Sequence, residues 1–385
     1  MENAVGFEMN EEQQQIQKAV REFVKDEFDK QLITELESKH KYPVSIWKKA
    51  ADLGLVGVHF PQKYSGQGLG VMENILAAEE FCRGDSTVGA CLGLADYASE
   101  ILIRFGSDEL KSLWLPKVAE GEVLSCAAFT DPDQGLDIAA VGTMAKRSGD
   151  QWFIDGSKIL IASGGPMIGF YIVLCRTDPE AEPSHRGLSL ILVEASQPGV
   201  STTDVENNIG SHMMQTSLVN FKNVRVPLSN LIGEANRGFD HVLEFFDESR
   251  VLIAAQALGT AQGAFDRTLA YVKSKTQFDK EDAESQVTRH KLVDMATKIE
   301  LARLITYKAA WSCDHGCIDS QLASMAKMVA ARTAVEVCDE AIQLMGRDGN
   351  IQVCEVERFA RDARITELYE GTQEAQKNTI ATSLV

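Results

Sequence analysis

The 385-residue chain has no uncharged stretch approaching the ~18 residues that a membrane-crossing helix needs. Its first residues, Met1-Glu2-Asn3-Ala4-Val5-Gly6-Phe7-Glu8, lack the basic segment and apolar run of an export signal, so a soluble, cytoplasmic protein is expected. Positive charge is scarce: 38 Lys plus Arg stand against 56 Asp plus Glu, a net charge of −18, which argues against nucleic acids and anionic membranes as partners. A small polyanionic ligand stays open, because a few cations at one site outweigh a distant field that salt screens. Missing too are Gly-x-Gly-x-x-Gly after a strand, a P-loop, His-Glu-x-x-His and Gly-x-Ser-x-Gly, which sets aside the common nucleotide folds, metalloproteases and hydrolases. No internal repeat or low-complexity segment occurs. The eight cysteines are scattered, several in apolar runs such as Leu124-Ser125-Cys126-Ala127-Ala128, and read as reduced core thiols. Cys313-Asp314-His315-Gly316-Cys317 has no second ligand pair at finger-like spacing and reads as the close of a helix rather than a zinc site.

What is present is a globular chain, 44% hydrophobic and 24% charged, long enough at ~100–200 residues per domain for two or three domains. Over 1–123 the apolar residues recur at helical spacing: Ile16, Val20, Phe23 and Val24, then Leu32, Ile33 and Leu36, then Ile46, Trp47 and Ala50. Phe60 to Gly70, with three glycines and a proline, is a compact loop in this helical domain. Over 124–236 the texture becomes short β-type runs, 124–129, 141–147, 151–155, 170–176, 188–194 and 217–226, with Ser148-Gly149-Asp150 as a hairpin turn. They predict a small β-sandwich or barrel. From 237 to 385 helical periodicity returns, with long helices expected over about 240–273, 285–313 and 320–345, the makings of a four-helix bundle. The expected fold class is multidomain α+β, ordered α, then β, then α.

Three segments concentrate polar residues and glycine where elements end: Thr130-Asp131-Pro132-Asp133-Gln134-Gly135-Leu136-Asp137, Gln343-Leu344-Met345-Gly346-Arg347-Asp348-Gly349-Asn350, and Glu367-Leu368-Tyr369-Glu370-Gly371-Thr372. Each alone has an ordinary structural reading: Thr130/Asp131 as a turn start, Gly346 as a helix C-cap, Thr372 as an N-cap. Their order, joined by Phe246-Asp247-Glu248-Ser249-Arg250 and Lys275-Thr276-Gln277-Phe278, resembles the acyl-CoA dehydrogenase family, over nearly the whole chain to about Gln376.

The resemblance implies FAD as cofactor, an acyl-CoA substrate, an electron-transfer flavoprotein as acceptor, and a homotetramer built as a dimer of dimers. It implies Glu370 as the general base that takes the α-proton while the β-hydride goes to the flavin. Some members carry the base on the helix of the Asp-x-x-Arg motif, at a position that is Ser249 here. By the same resemblance Phe129, Thr130, Gly135, Leu136, Leu160, Ala162 and Ser163 lie along the flavin. Lys275, Phe278, Gln343, Gly346 and Arg347 meet FAD across the dimer, and Thr372 and Glu374 follow the base toward it. Leu136, Asp247, Arg250 and Gly371 serve the substrate; the plain alternative for Asp247 and Arg250 is an ion pair on a packed bundle.

The chain also departs from the family pattern. Leu160-Ile161-Ala162-Ser163 stands where Trp-Ile-Thr-Asn is common, removing an aromatic cover and a hydroxyl near flavin N5; Gly-Ser-Asp becomes Gly135-Leu136-Asp137 and Arg-x-x-Phe-Gly becomes Lys275-Thr276-Gln277-Phe278-Asp279. Asp96, in Gly93-Leu94-Ala95-Asp96-Tyr97, falls where members run a small-polar loop past the far end of the acyl chain. A carboxylate facing a fatty tail costs roughly several kcal/mol unless paired. Either Asp96 is a solvated residue or N-cap, or it is a functional acid facing a cyclic or polar acyl group, a second base for a proton remote from the thioester. Three further functions stay open: an enoyl-CoA reductase, an oxygen-using oxidase or monooxygenase, and a non-catalytic acyl-CoA or flavin-binding protein.

Overall fold

Asn10 opens the first helix by a reciprocal cap, its side chain accepting the Gln13 N–H at 2.8 Å while the Gln13 side chain accepts the Asn10 N–H at 3.1 Å. The computed structural model describes residues 8–135, 137–163, 167–205, 208–277, 280–281 and 285–384. The N-terminal helices are α1 (Glu11–Glu27), α2 (Lys30–Ser38), α3 (Val44–Asp52), α4 (Val71–Gly84), α5 (Ser86–Gly93), α6 (Ser99–Phe105) and α7 (Asp108–Ala119). The apolar residues read from the sequence, among them Val20, Phe23, Ile33, Ile46, Trp47 and Ala50, form one buried cluster with Phe81 and Val88.

The middle region contributes β1 (Leu124–Ala128), β2 (Met144–Ser148), β3 (Gln151–Ser163), β4 (Ile168–Arg176), β5 (Leu188–Glu194), β6 (Val200–Asp204), β7 (Gln215–Pro227) and β8 (Leu231–Ile232). They run in the order β6-β7-β3-β2-β4-β5-β8, with β1 added parallel to β4. The β2–β4 link is a single pair, Met144 with Arg176, so the sheet bends there into two layers that enclose Trp152, Ile154, Tyr171, Val173, Ile191 and Val219. That is the expected sandwich-like packing. Three runs are longer than the expected 151–155, 170–176 and 217–226, and β6 and β8 were not foreseen, since β6 (Val-Ser-Thr-Thr-Asp) is an exposed, polar edge strand without apolar alternation.

The C-terminal helices are α8 (Gly238–Ser274), α9 (Gln286–Asp314), α10 (Ser320–Met345), α11 (Val356–Thr366) and α12 (Gln373–Leu384). The first three match the expected spans closely. Helix α8 is buried along most of its length and carries many alanines and glycines, so α4 and α10 pack close to it. Gly259 marks the tightest approach: a Cβ there would sit 2.1 Å from the Glu79 carbonyl oxygen. The Cys313–Cys317 segment closes α9 as read, with the Cys317 N–H donating to the Ser312 carbonyl at 2.9 Å. Asp314 at that end caps α4, accepting the Val71 and Met72 N–H groups at 2.7 and 3.0 Å and joining the first and last helical regions.

One buried ion pair fixes the end of β1 against β3. The Lys158 side chain is fully buried, and its ammonium donates to Asp131 Oδ1 at 2.6 Å and to the Phe129 carbonyl at 2.8 Å. Asp131 also accepts the Gly142 and Thr143 N–H groups and the Thr143 hydroxyl. Burial holds Lys158 below the usual lysine value even with Asp131 beside it. On Asp131 burial pushes upward, but Lys158 and the N–H donors prevail and hold it below its usual value. Breaking such a pair from one side strands the other charge. Lys158→Met is expected to destabilise the full chain by about 3–5 kcal/mol in urea unfolding, with Asp131→Asn restoring part of the loss in the double variant. A Lys158→Met cost below about 1 kcal/mol would mean the pair behaves as a surface one.

Candidate active site

The loop between α11 and α12 carries two successive residues in the left-handed region, Glu370 (φ 55) and Gly371 (φ 91). Gly371 suits its position; for glutamate this conformation is uncommon and is held by neighbours. The Lys327 ammonium, on α10, donates to the Gly371 carbonyl at 2.6 Å. The Gln376 side-chain amide donates to the carbonyls of Glu370 and Gly371 at 2.8 and 3.1 Å, and the Tyr369 hydroxyl donates to Gln256 Oε1 on α8 at 2.5 Å. Thr372 caps α12 as expected, its hydroxyl accepting the Ala375 N–H at 3.3 Å.

The Glu370 carboxylate is occupied at both oxygens. Tyr97, from the loop between α5 and α6, donates to Oε1, and Ser249 on α8 donates to Oε2 at 2.6 Å. Glu370 as a whole keeps a partial opening to solvent, as a group that must meet a substrate does, yet protein closely surrounds its carboxylate. Burial raises its pKa above the usual glutamate value; the two hydroxyl donors and the nearby Arg250 and Lys327 offset this only in part. Lys327, fully buried, is pulled down to about 8 by burial, with Glu370 opposing. Glu370 and Ser249, the two positions read from the sequence as alternatives for the base, thus meet at one point.

Around this point several predicted residues come together. Arg250 pairs with Asp247 at 3.1 Å, and Asp247 also accepts the Ser320 hydroxyl at 2.7 Å. The Arg250 Nε is buried without a hydrogen-bond partner among the described residues. Phe129 packs edge-on against Phe245 and Phe246, bringing the β1 end and Thr130 to the same stretch of α8, and Tyr97 packs on Phe245 at 4.9 Å between ring centres. Leu160 is lifted out of β3 by a bulge between Lys158 and Ile161, at φ 57, with its side chain 61% exposed. The Ile159 N–H donates to the Thr130 carbonyl, setting this bulge beside the β1 end. Gly135 is exposed with open space about it, and Ala162 is half-buried in β3. Of Ser163 only the strand position is described, and Leu136 and Phe278 lie outside the described residues.

Asp96 is neither solvated nor an N-cap. It is 6% exposed, its Oδ2 accepts the Gly57 N–H at 2.9 Å, and the residue before α6 is Ala98. Burial raises its pKa, with the nearby His59 opposing.

A second group lies elsewhere. Lys275 bonds the Tyr271 hydroxyl and Asp348, while Gln343, Gly346 and Arg347 are exposed at the end of α10, where the Gly346 N–H closes the helix on Ile342. Along α8, Lys275 is about 37 Å from Arg250 at 1.5 Å per residue, so one chain does not bring this group to Glu370. Glu374 is exposed on the first turn of α12.

Sequence reasoning passed over Tyr97, Lys327, Gln256 and Gln376. Lys327 did leave a signal, a lone charge on the buried alanine stripe of α10 (Ala323, Ala326, Ala330, Ala334). Tyr97 left none beyond its place beside Asp96.

Three family models match the chain in order: the acyl-CoA dehydrogenase N-terminal domain over 10–122, the middle domain over 126–224 and the C-terminal domain over 236–385. The chain is 34% identical over 376 residues to a short-chain specific acyl-CoA dehydrogenase of Clostridium acetobutylicum, covering 97% of this chain and 98% of that protein. It is 33% identical to an acryloyl-CoA reductase (NADH) of Anaerotignum propionicum, covering 97% and 95%. Among solved structures it superposes with a TM-score of 0.95 and 33% identity on a chain from work on the electron transferring flavoprotein of Acidaminococcus fermentans, covering 99% and 100%. On this site and these matches, the chain belongs to the acyl-CoA dehydrogenase family, FAD-dependent oxidoreductases acting on a CH–CH pair.

Proposed function

We propose that Glu370 is the base that takes the α-proton in the α,β-dehydrogenation of an acyl-CoA thioester. The carrying observation is its carboxylate, enclosed by protein, raised in pKa and held at both oxygens. The α-C–H beside a thioester is a weak acid, and a carboxylate shifted toward working pH accepts its proton better than an ordinary one. The thioester oxygen needs donors that strengthen as charge develops, and the Glu370 N–H serves there, with the Gly371 backbone able to come close. Arg250 and Asp247 hold the substrate together with Gly371 and Leu136.

The residues beside this point fit FAD. An apolar Leu160 side chain presented to solvent by a bulged backbone, next to the β1 end and the open Gly135, suits the face of a flat aromatic ring. Phe129, Thr130, Gly135, Leu136, Leu160, Ala162 and Ser163 hold it, with Thr372 and Glu374 on the side of the base. When bound, FAD supplies the hydride acceptor for the β-carbon. Lys275, Phe278, Gln343, Gly346 and Arg347 act on the cofactor of a neighbouring copy, which their distance from Glu370 supports. Electrons pass on to an electron-transfer flavoprotein, supported by the likeness to the Acidaminococcus fermentans chain. Eight free thiols favour the cytoplasm. A homotetramer, a dimer of dimers, is supported by the exposed apolar face of α9, where Leu301, Leu304 and Trp311 recur at helical spacing. Sedimentation should give the mass of four chains, and a monomer would remove both this assembly and the shared cofactor site.

A second reading runs the same step backwards as an enoyl-CoA reductase, favoured by the Anaerotignum propionicum relative. Adding saturated acyl-CoA without air should bleach the flavin; no bleaching by it, with enoyl-CoA restoring the colour of pre-reduced enzyme, would decide for the reductase. Glu370→Gln should keep FAD but lower the bleaching rate roughly 10²–10⁴-fold. Because Tyr97 and Ser249 stabilise the ionised base, Tyr97→Phe and Ser249→Ala should each move the acidic limb of kcat/KM to higher pH; an unmoved limb in both contradicts the assignment.

Asp96 is proposed as a second acid–base group for a cyclic or functionalised acyl-CoA, removing a proton remote from the thioester. Its burial near the cleft favours this. Asp96→Asn should slow turnover on such substrates by at least roughly 10²-fold, and unchanged turnover on every accepted acyl-CoA would sink the idea.

A further inference from the structure

Beside the pair of hydroxyls that hold Glu370 lies a narrow, closely packed cleft between α4, α6 and α8. Tyr97 and Ser249, the two donors to the Glu370 carboxylate, line it, so it adjoins the proposed base. Its walls are apolar at Ile75, Phe245 and Leu252, as an alkyl chain requires. The rest of its lining is not. His59, Asp96, Glu100 and Glu248 line it, and Arg104 binds both Glu100 and Glu248 from behind.

Most of these charges are already matched. His59 Nε2 lies 3.3 Å from Glu100 Oε2, close enough for an ion pair but outside hydrogen-bond geometry, and its side chain is 11% exposed. Both ring nitrogens are buried without a hydrogen-bond partner among the described residues. Burial alone would keep this imidazole neutral, but Glu100, Asp96 and Glu248 outweigh it and raise its pKa to about 9, so the ring is protonated at neutral pH. Arg104 and His59 hold Glu100 below its usual value against the upward push of burial. Burial and Glu100 lift Glu248 to about 7. Two cations, His59 and Arg104, therefore face three carboxyl groups, Asp96, Glu100 and Glu248, so both cations are already matched.

A polar site of this kind discriminates by hydrogen bonding more than by charge. A second carboxylate on the acyl chain would meet cations already paired and would crowd Asp96 and Glu248. A purely aliphatic chain would leave the His59 Nδ1–H unpaired in a buried site, which costs about 1–3 kcal/mol. A hydroxyl satisfies both neighbours, accepting from His59 while donating to Asp96, which also accepts the Gly57 N–H at Oδ2.

We infer that the substrate is an acyl-CoA carrying an uncharged hydroxyl beyond the carbon pair that is oxidised, recognised by His59 and Asp96 on the polar wall of this cleft. The inference rests on the acyl-CoA reading of the Glu370 site, and the test separates the two. Thioether analogues, in which a CH2 replaces the thioester carbonyl and no dehydrogenation occurs, are titrated by calorimetry into the FAD-loaded enzyme. Three chains of equal length are compared: plain alkyl, ω-hydroxy and ω-carboxy. The ω-hydroxy analogue should bind roughly ten-fold more tightly than the plain one, and the ω-carboxy analogue more weakly than either. In His59→Leu the hydroxy-to-plain ratio should fall to about one, while His59→Gln, which keeps a donor, should retain part of it. Circular dichroism and FAD retention show that the variants fold. An equal or weaker affinity for the hydroxy analogue in the unmodified protein, or a preference that survives His59→Leu, overturns the inference. Failure of every acyl-CoA thioester to bleach the flavin, with the binding preference intact, removes dehydrogenation alone.

Discussion

The conflict that organises this molecule is a carboxylate that must be able to ionise and yet is enclosed by protein. Burial pushes Glu370 toward its protonated form, which could not serve as the proposed base; left in water it would be too weak a base for a thioester α-proton. Tyr97 and Ser249 set the balance by hydrogen bonding to the ionised form, with Arg250 and Lys327 adding charge from farther away. The backbone bears part of the cost, since a left-handed glutamate is strained by about 1–3 kcal/mol. Lys327 and Gln376 bind the carbonyls of that strained segment and offset it.

Each clamp comes from a different element: Tyr97 from the N-terminal helical region, Ser249 from α8, Lys327 from α10 and Gln376 from α12. The site therefore exists only when the first and last thirds of the chain pack together. The small residues of α8, which let α4 and α10 approach closely, and the capping of α4 by Asp314 at the end of α9 serve the same assembly. The β region joins this assembly in part through the aromatic packing of Phe129 on Phe245 and Phe246, and within it the Lys158–Asp131 pair holds the β1 end to the β3 bulge.

Local signals explain what could be read without coordinates. Helices with a continuous apolar period, such as 320–345, were legible to the residue, as were the Thr372 and Gly346 caps. Strand β3 was read too short because Gly156 and Leu160 sit at register shifts that interrupt the alternation. The proposal of Glu370 as base comes only from the order of several motifs along the chain, because no single segment distinguishes a base from a turn. Tyr97 was not legible, because its meaning depends on a residue 273 positions away. Asp96 failed as an N-cap for a related reason: a polar residue just before a helix looks like a cap locally, and only the Gly57 loop, 39 positions earlier, shows that it is buried.

The central claim, that Glu370 is the one group removing the α-proton, is tested most directly by proton exchange without net oxidation. A bound acyl-CoA analogue with an acidified α-position and no transferable β-hydride is incubated in deuterated water with the FAD-loaded enzyme, and α-deuterium uptake is followed by NMR. Uptake should be catalysed by the unmodified protein and by Asp96→Asn, and fall to background in Glu370→Gln. Persistent exchange in Glu370→Gln that disappears in Asp96→Asn would contradict the account.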